Sequence, residues 1–221
     1  MGEEMAFTSG GGLLSLRGTL AWLGVISLLF LLERRRLSIL PFILQYLLLA
    51  LLAPRGFRPV WQLRLGVQIA VSIIVATTAF RVQAKLAKAA KAGGVPDCLE
   101  EVRHLAPNAR LLFRLLTLAL NGLFAYSLWR AYPLYFAPAP LTVASYWLLG
   151  LGLCLVLLND DPLGKGEGIL VALSGFEGLY LLLEQSLLAI TLLGVVDLLL
   201  ALGVAFLAES WAEARARGEG L

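Results

Sequence analysis

The 221-residue sequence has few of the residues from which metal centres and disulfide frameworks are built. Its two cysteines, Cys98 and Cys154, are far apart and lack the spacing of a metal-binding motif or a disulfide framework. The one histidine, His104, lies beside Arg103 in a charged segment, where we expect it to be solvated. The sequence therefore predicts no zinc, haem or iron–sulfur site and no bound cofactor.

Charged residues are also scarce. They make up 15% of the chain, whereas roughly a quarter of a soluble domain is charged, and hydrophobic residues make up 59%. Apolar runs of about 18 residues or more are typical of membrane-spanning helices. Closed barrels also satisfy the backbone in hydrocarbon, but the leucine-rich runs here do not alternate as barrel strands do. We therefore expect an all-α integral membrane protein, a bundle of about seven transmembrane helices.

The polar segments divide the chain. Residues 1–12 form a polar N-terminal tail without the features of a secretory signal. Residues 13–208 form the transmembrane helical domain, which includes a cytoplasmic loop at 81–110, and residues 209–221 form a polar C-terminal tail. The alanine- and lysine-rich start of the 81–110 loop should continue the preceding helix into water or along the headgroups.

The apolar runs set the individual spans. The last run, residues 169–208, is too long for one crossing, because about 20 residues cross a bilayer, so it should fold into a hairpin with residues 183–186 at its tip. A polar turn at 159–168 precedes it. The five earlier spans are expected near residues 19–32, 37–53, 61–80, 111–132 and 141–158.

Basic residues predict the orientation. With seven spans, one side of the membrane carries 12 Lys and Arg residues and the other carries five, Arg64 among them. Because basic loops stay in the cytoplasm, the N-terminus should lie outside and the C-terminus inside a cell (inner) membrane. The net charge of +3 is explained in this way, and we infer no nucleic-acid partner.

Two acidic residues interrupt the last hairpin. Glu177 and Asp197 should lie about 12 and 18 Å from its tip at 1.5 Å per residue, near the middle of a core about 30 Å thick. Ionisable groups at this depth are costly and mark functional sites by default. Burial favours the neutral form of a carboxyl, and a second carboxyl nearby favours it further, so the pair could hold and release a proton.

A simpler interpretation is that both acids stay protonated and hydrogen-bond to Ser174, Thr191 or a neighbouring backbone. Glycines flank both acids and should allow the helices to approach closely. They are Gly175, Gly178, Gly194 and Gly203.

Gly175-Phe176-Glu177 places a glutamate shortly after a glycine in the penultimate helix, and Asp197 places a second acid in the last helix. In these features the hairpin resembles the K-type small membrane subunit of respiratory complex I and, still more, the E-type membrane subunit of hydrogenase-4-like complexes. The resemblance implies a subunit without a cofactor, whose carboxylates Glu177 and Asp197 join a proton relay between larger antiporter-like membrane subunits.

Three functions remain open from the sequence. The first is an accessory membrane subunit of a proton- or cation-translocating respiratory or hydrogenase-type complex, with no catalytic activity of its own. The second is a self-contained small membrane transporter, and the third is a structural or assembly protein without chemistry. An intramembrane enzyme fits least well, because Glu177 and Asp197 lack a nucleophile or a water-activating partner.

Overall fold

The computed structural model describes residues 16–31, 44–45, 47–49, 58–91, 107–134, 137–183 and 186–217. Within these ranges the regular structure is entirely helical, which confirms the all-α prediction. Residues 44–45 and 47–49 are helical, and the six longer helices are α1 (Leu16–Leu31), α2 (Arg58–Lys91), α3 (Pro107–Ala131), α4 (Ala139–Leu158), α5 (Pro162–Leu183) and α6 (Leu187–Ala216).

Four segments of the described helices are long and apolar enough to cross a membrane. They are Arg64–Lys88 in α2, Leu112–Ala131 in α3, Ala139–Leu158 in α4 and Leu187–Ala216 in α6. The α1 helix contributes a shorter apolar segment, Gly18–Leu29. The α5 helix is not in this set, and it carries Lys165, Glu167 and Glu177 within 22 residues.

The contacts between helices show their directions. The contacting side chains of α2 and α6 are separated by a nearly constant number of residues, 129 for Gln68 and Asp197 and 128 for Lys85 and Glu213. These two helices are therefore parallel. The short turns make α5 antiparallel to both α4 and α6, and α3 packs antiparallel to α4. Consecutive helices from α2 to α6 therefore alternate in direction, as consecutive membrane crossings would.

The α4 and α5 helices pack closely because glycines line their contact. A Cβ atom on Gly152 would lie 2.2 Å from the backbone nitrogen of Ala172, and one on Gly168 would lie 2.7 Å from that of Val156. Only a residue without a side chain allows the two backbones to approach this closely. This contact fixes the position of α5, and with it Glu177, relative to the rest of the bundle.

The ends of α2 and α6 are joined by charged side chains. Lys85 Nζ donates to Glu213 Oε1 at 2.7 Å, and Arg81 Nη1 lies 3.4 Å from Glu209 Oε1. The apolar side chains beneath these ion pairs form a small second core that includes Val82, Val204, Ala208 and Ala212. The helix predicted to continue beyond residue 80 does so, to Lys91.

Two segments are more regular than predicted. The polar turn expected at 159–168 is confined to Asn159–Asp161, because Asp161 caps α5 by accepting a hydrogen bond from the Gly164 N–H (3.2 Å) and Pro162 occupies its first position. The tail expected from residue 209 continues α6 as far as Ala216, since Glu209 and Glu213 pair with α2.

Other predictions fall outside the described residues. They concern most of the span at 37–53, the N-terminal tail, Cys98 and His104. The helix breaks around the last hairpin agree with the prediction, because α5 ends at Leu183 and α6 begins at Leu187 with the Ser186 side chain accepting from the Ala189 N–H.

Candidate functional site

The α2, α5 and α6 helices bring four polar side chains together inside the bundle. Arg64 and Gln68 come from α2, Glu177 from α5 and Asp197 from α6. Their exposed fractions are 7%, 2%, 2% and 3%, so all four are buried from solvent and from any surrounding lipid. We call this group the carboxylate site.

One amide joins the two acids. Gln68 Nε2 lies 3.0 Å from Asp197 Oδ2 and 3.4 Å from Glu177 Oε2, so the two carboxyl groups are neighbours. Their charges are close enough to interact directly. The structure therefore brings Glu177 and Asp197 into one buried group. The depth calculation from the sequence predicted their common level but not that they face each other.

A cation completes the group. The Arg64 guanidinium donates to Glu177 Oε2 and forms an ion pair with it. Arg64 and Gln68 are four residues apart, which places both on one face of α2. That face is turned towards α6, because Gln68 lies level with Asp197 and contacts it.

Charge balance gives the two acids different roles. If both were ionised, the site would carry two negative charges and one positive charge in a medium where uncompensated charge is costly. One bound proton makes the site neutral. Glu177 shares its oxygen with the Arg64 cation, whereas Asp197 contacts the neutral Gln68 amide, so the arrangement favours the proton on Asp197.

The simpler interpretation from the sequence named the wrong hydrogen-bond partners. The Ser174 hydroxyl donates to Val171 O at 2.7 Å and accepts from Gln45 Nε2 at 3.4 Å. The Thr191 hydroxyl donates to Leu187 O at 2.8 Å within its own helix. Among the described residues, the two acids instead contact Arg64, Gln68 and each other.

The flanking glycines play different parts. Gly175 and Gly178 do allow close packing, but against Leu149 and Ser145 of α4 and not against α6. A Cβ on Gly194 would lie 3.2 Å from the Val67 side chain of α2, which is tighter than an ordinary contact, so this glycine allows a close approach of α6 to α2. A Cβ on Gly203 would meet nothing within 4 Å, so the expectation of a close approach is wrong there.

Neither Arg64 nor Gln68 was among the site residues predicted from the sequence. Arg64 was counted with the basic residues of the outer side, although it lies within the predicted span of residues 61–80, three residues from its start. The helix in fact begins at Arg58, which puts Arg64 on its second turn. The sequence feature that could have predicted both residues is their four-residue spacing, which places a cation and an amide on one helix face.

A cavity of about 110 Å³ adjoins the carboxylate site. Its charged walls are Arg64, Glu177 and Asp197, and most of the remaining wall is apolar and comes from α6. Pockets for drug-sized ligands usually measure about 300–1,000 Å³. This cavity is therefore suited to a few water molecules or a small ion.

Other buried polar groups lie near the same level of the bundle. Asn121 Nδ2 donates to Trp147 O at 3.2 Å, and Trp147 Nε1 donates to Ser27 Oγ at 2.8 Å, which links α3, α4 and α1. Gln45 reaches Ser174 on α5. Within the described part of the chain, the side-chain oxygens of Gln45, Gln68, Asn121 and Ser145 are buried without a hydrogen-bond partner.

The comparisons identify no relative. No family model, no curated protein and no solved structure matches this chain. In the residues that the structure describes, no group of three or more His, Cys, Asp or Glu side chains is placed to hold a metal ion. The carboxylate site is therefore the feature of the chain from which its function can be inferred.

Proposed function

We propose that this chain is a multi-pass membrane protein of about seven spans that handles a proton at Asp197. The observation that carries the proposal is the buried set of two carboxylates and one guanidinium, which reaches neutrality by binding a single proton. Glu177 and Arg64 form the fixed ion pair, Asp197 accepts and releases the proton, and Gln68 holds the two acids together.

The proposed setting is a proton- or cation-translocating complex of the respiratory or hydrogenase type, in which this chain is an accessory subunit. The resemblance of the last hairpin supports this setting. The described lysines also support an accessory role, because Lys85, Lys88 and Lys91 end α2 and Lys165 begins α5, away from the carboxylate site. The proposed partners are larger antiporter-like subunits that would receive the proton.

The proposed membrane setting explains the outer surface of the bundle. The α3 helix exposes large apolar side chains along most of its length, including Leu112 at 69% and Leu120 at 65%. Only Asn121 and Ala125 of its described side chains are buried. An apolar surface of this extent is typical of contact with lipid or with a membrane partner.

The proposal is tested by removing the ionisable group at Asp197. The tagged chain would be purified in mild detergent with the subunits that accompany it and reconstituted into liposomes. We expect Asp197→Asn to lower the rate of proton transfer at least tenfold, because the site is then already neutral without a proton. Glu177→Gln should have a similar effect, since Asp197 must then stay ionised to balance Arg64.

The matched control is Asp160→Asn, the same chemical change at an exposed position in the α4–α5 turn. It should leave proton transfer and subunit composition unchanged. Unchanged proton transfer in both Asp197→Asn and Glu177→Gln, with the subunits still assembled, would contradict the proposal. Proton transfer by the chain alone in liposomes would instead identify a self-contained transporter.

A further inference from the structure

The cavity beside the carboxylate site extends in one direction. On α6 its lining runs from Ile190 to Leu198, so nearly all of it precedes or includes Asp197. On α5 the lining is Glu177 and Leu181, which lie on the side of the α5–α6 turn. The cavity therefore reaches from the two carboxyl groups towards the end of the bundle at which α5 and α6 are joined.

The opposite direction is closed by apolar packing. Val71 and Val75 of α2, Leu170 and Val171 of α5, and Ala201 of α6 belong to one buried cluster, and each is no more than 3% exposed. These residues lie about one turn or more beyond the carboxylate site, towards the charged ends of α2 and α6. The buried Ser72 and Ser174 also lie in this layer, but their hydroxyls donate to the Gln68 and Val171 carbonyl oxygens of their own helices. A proton or water molecule would therefore meet a closely packed, mostly apolar layer there.

The size and walls of the cavity favour water as its content. The volume of about 110 Å³ is several times the space of about 10–15 Å³ that one water molecule needs, so the cavity accommodates several waters. An apolar cavity stays dry, but waters in this one would have the Arg64, Glu177 and Asp197 side chains as hydrogen-bond partners. Thr191 and Val195, which are exposed, form part of its wall between the start of α6 and Asp197.

We infer that this cavity is a one-sided water pathway that delivers protons, as hydronium, to Asp197 from the side of the membrane on which α5 and α6 are joined. The inference rests on the proposed function, because it specifies how the proton reaches the carboxylate site. It adds a direction, since access is open towards the α5–α6 turn and closed towards the ends of α2 and α6.

Cysteine labelling tests the pathway without measuring proton transfer. In a background with Cys98→Ser and Cys154→Ser, Thr191→Cys places a thiol in the cavity wall. The matched control is Leu192→Cys, the next residue, which is 61% exposed but does not line the cavity. A membrane-impermeant, cationic methanethiosulfonate reacts with the thiolate, which forms in water and not in hydrocarbon.

We expect Thr191→Cys to react at least tenfold faster than Leu192→Cys, and only when the reagent is added on the side that labels Ser186→Cys. Val195→Cys, a second wall position, should behave as Thr191→Cys does. Ala201→Cys, within the apolar layer, should stay unreactive from both sides. The inference would be overturned if the cysteines at residues 191 and 195 were both labelled no faster than the cysteine at residue 192. Labelling of the wall positions only from the opposite side would also overturn it.

The two proposals fail separately. Slow labelling of both wall positions, together with loss of proton transfer in Asp197→Asn, refutes the water pathway and leaves the proton-binding role of Asp197 in place. Fast, one-sided labelling together with normal proton transfer in Asp197→Asn supports a hydrated cavity and refutes the proton function.

Discussion

At the scale of single residues, Arg64 determines the charge of the carboxylate site. Depth alone indicated that Glu177 and Asp197 would lie at one level, and the structure places them there with a bridging amide. Depth along a helix could not predict that Arg64 joins them. A residue near the end of an apolar run is buried only if a neighbouring helix covers it. Here α5 packs over Arg64, and its Glu177 forms an ion pair with the guanidinium.

Removing Arg64 should destabilise the fold. Removing one partner of a buried ion pair leaves the other charge uncompensated, which costs about 3–5 kcal/mol. Arg64→Met should therefore lower the free energy of unfolding by about this amount. The double variant Arg64→Met/Glu177→Met removes both charges and should recover most of the loss. Thermal unfolding in detergent micelles would measure both.

The matched control at this scale is Arg81→Met, which breaks the ion pair with Glu209. The Arg81 side chain is 71% exposed, so its loss should cost less than about 1 kcal/mol. If Arg64→Met were no more harmful than Arg81→Met, the Arg64–Glu177 pair would not contribute to the stability of the bundle.

At the scale of helices, hydrophobic runs predicted most elements because length and apolar content are local properties of the sequence. The hairpin at residues 183–186 was found in this way, whereas the continuation of the third span beyond residue 80 was predicted from its alanine- and lysine-rich composition. The first turns of α5 were not, since glycine, lysine and glutamate at residues 164–168 are typical of a turn when taken alone. The capping contact of Asp161 and the close packing of Gly168 on α4 make them helical.

The α4–α5 contact should depend on glycine. We expect Gly152→Ala to destabilise the protein by about 1–3 kcal/mol, because its Cβ would lie 2.2 Å from the backbone of Ala172 and the helices would have to separate. Gly203→Ala is the matched control, since its Cβ would meet nothing within 4 Å.

The two alanine variants should differ in sign. Alanine is favoured over glycine within a helix by about 1 kcal/mol, so Gly203→Ala should be neutral or stabilising in the same unfolding measurement. Equal effects of Gly152→Ala and Gly203→Ala would show that close packing of α4 on α5 does not hold Glu177 in position.

At the scale of the whole molecule, the structure changes the charge count on which the orientation depends. Arg64 was counted with the loops of the outer side, but it is buried in α2 and paired with Glu177. Without it, the outer side keeps four basic residues against 12 on the other side. The bias that predicts a cytoplasmic C-terminus therefore becomes stronger.

Reporter fusions would test this orientation together with the alternation of the helices. A fluorescent protein that matures only in the cytoplasm should fluoresce when fused after Lys91 or after Arg217, because α2 and α6 are parallel and their charged ends lie together. Alkaline phosphatase, which is active only outside, should be active when inserted at Ser186 and inactive at the other two positions.

The pattern among the three sites separates the alternatives. Opposite reporter results at Lys91 and Arg217 would contradict the parallel arrangement of α2 and α6, since their ends could not then share one side. Reversed results at all three sites would leave the fold intact and invert the orientation. The water pathway would then open to the cytoplasm, because the α5–α6 turn lies at the other end of α6 from Arg217.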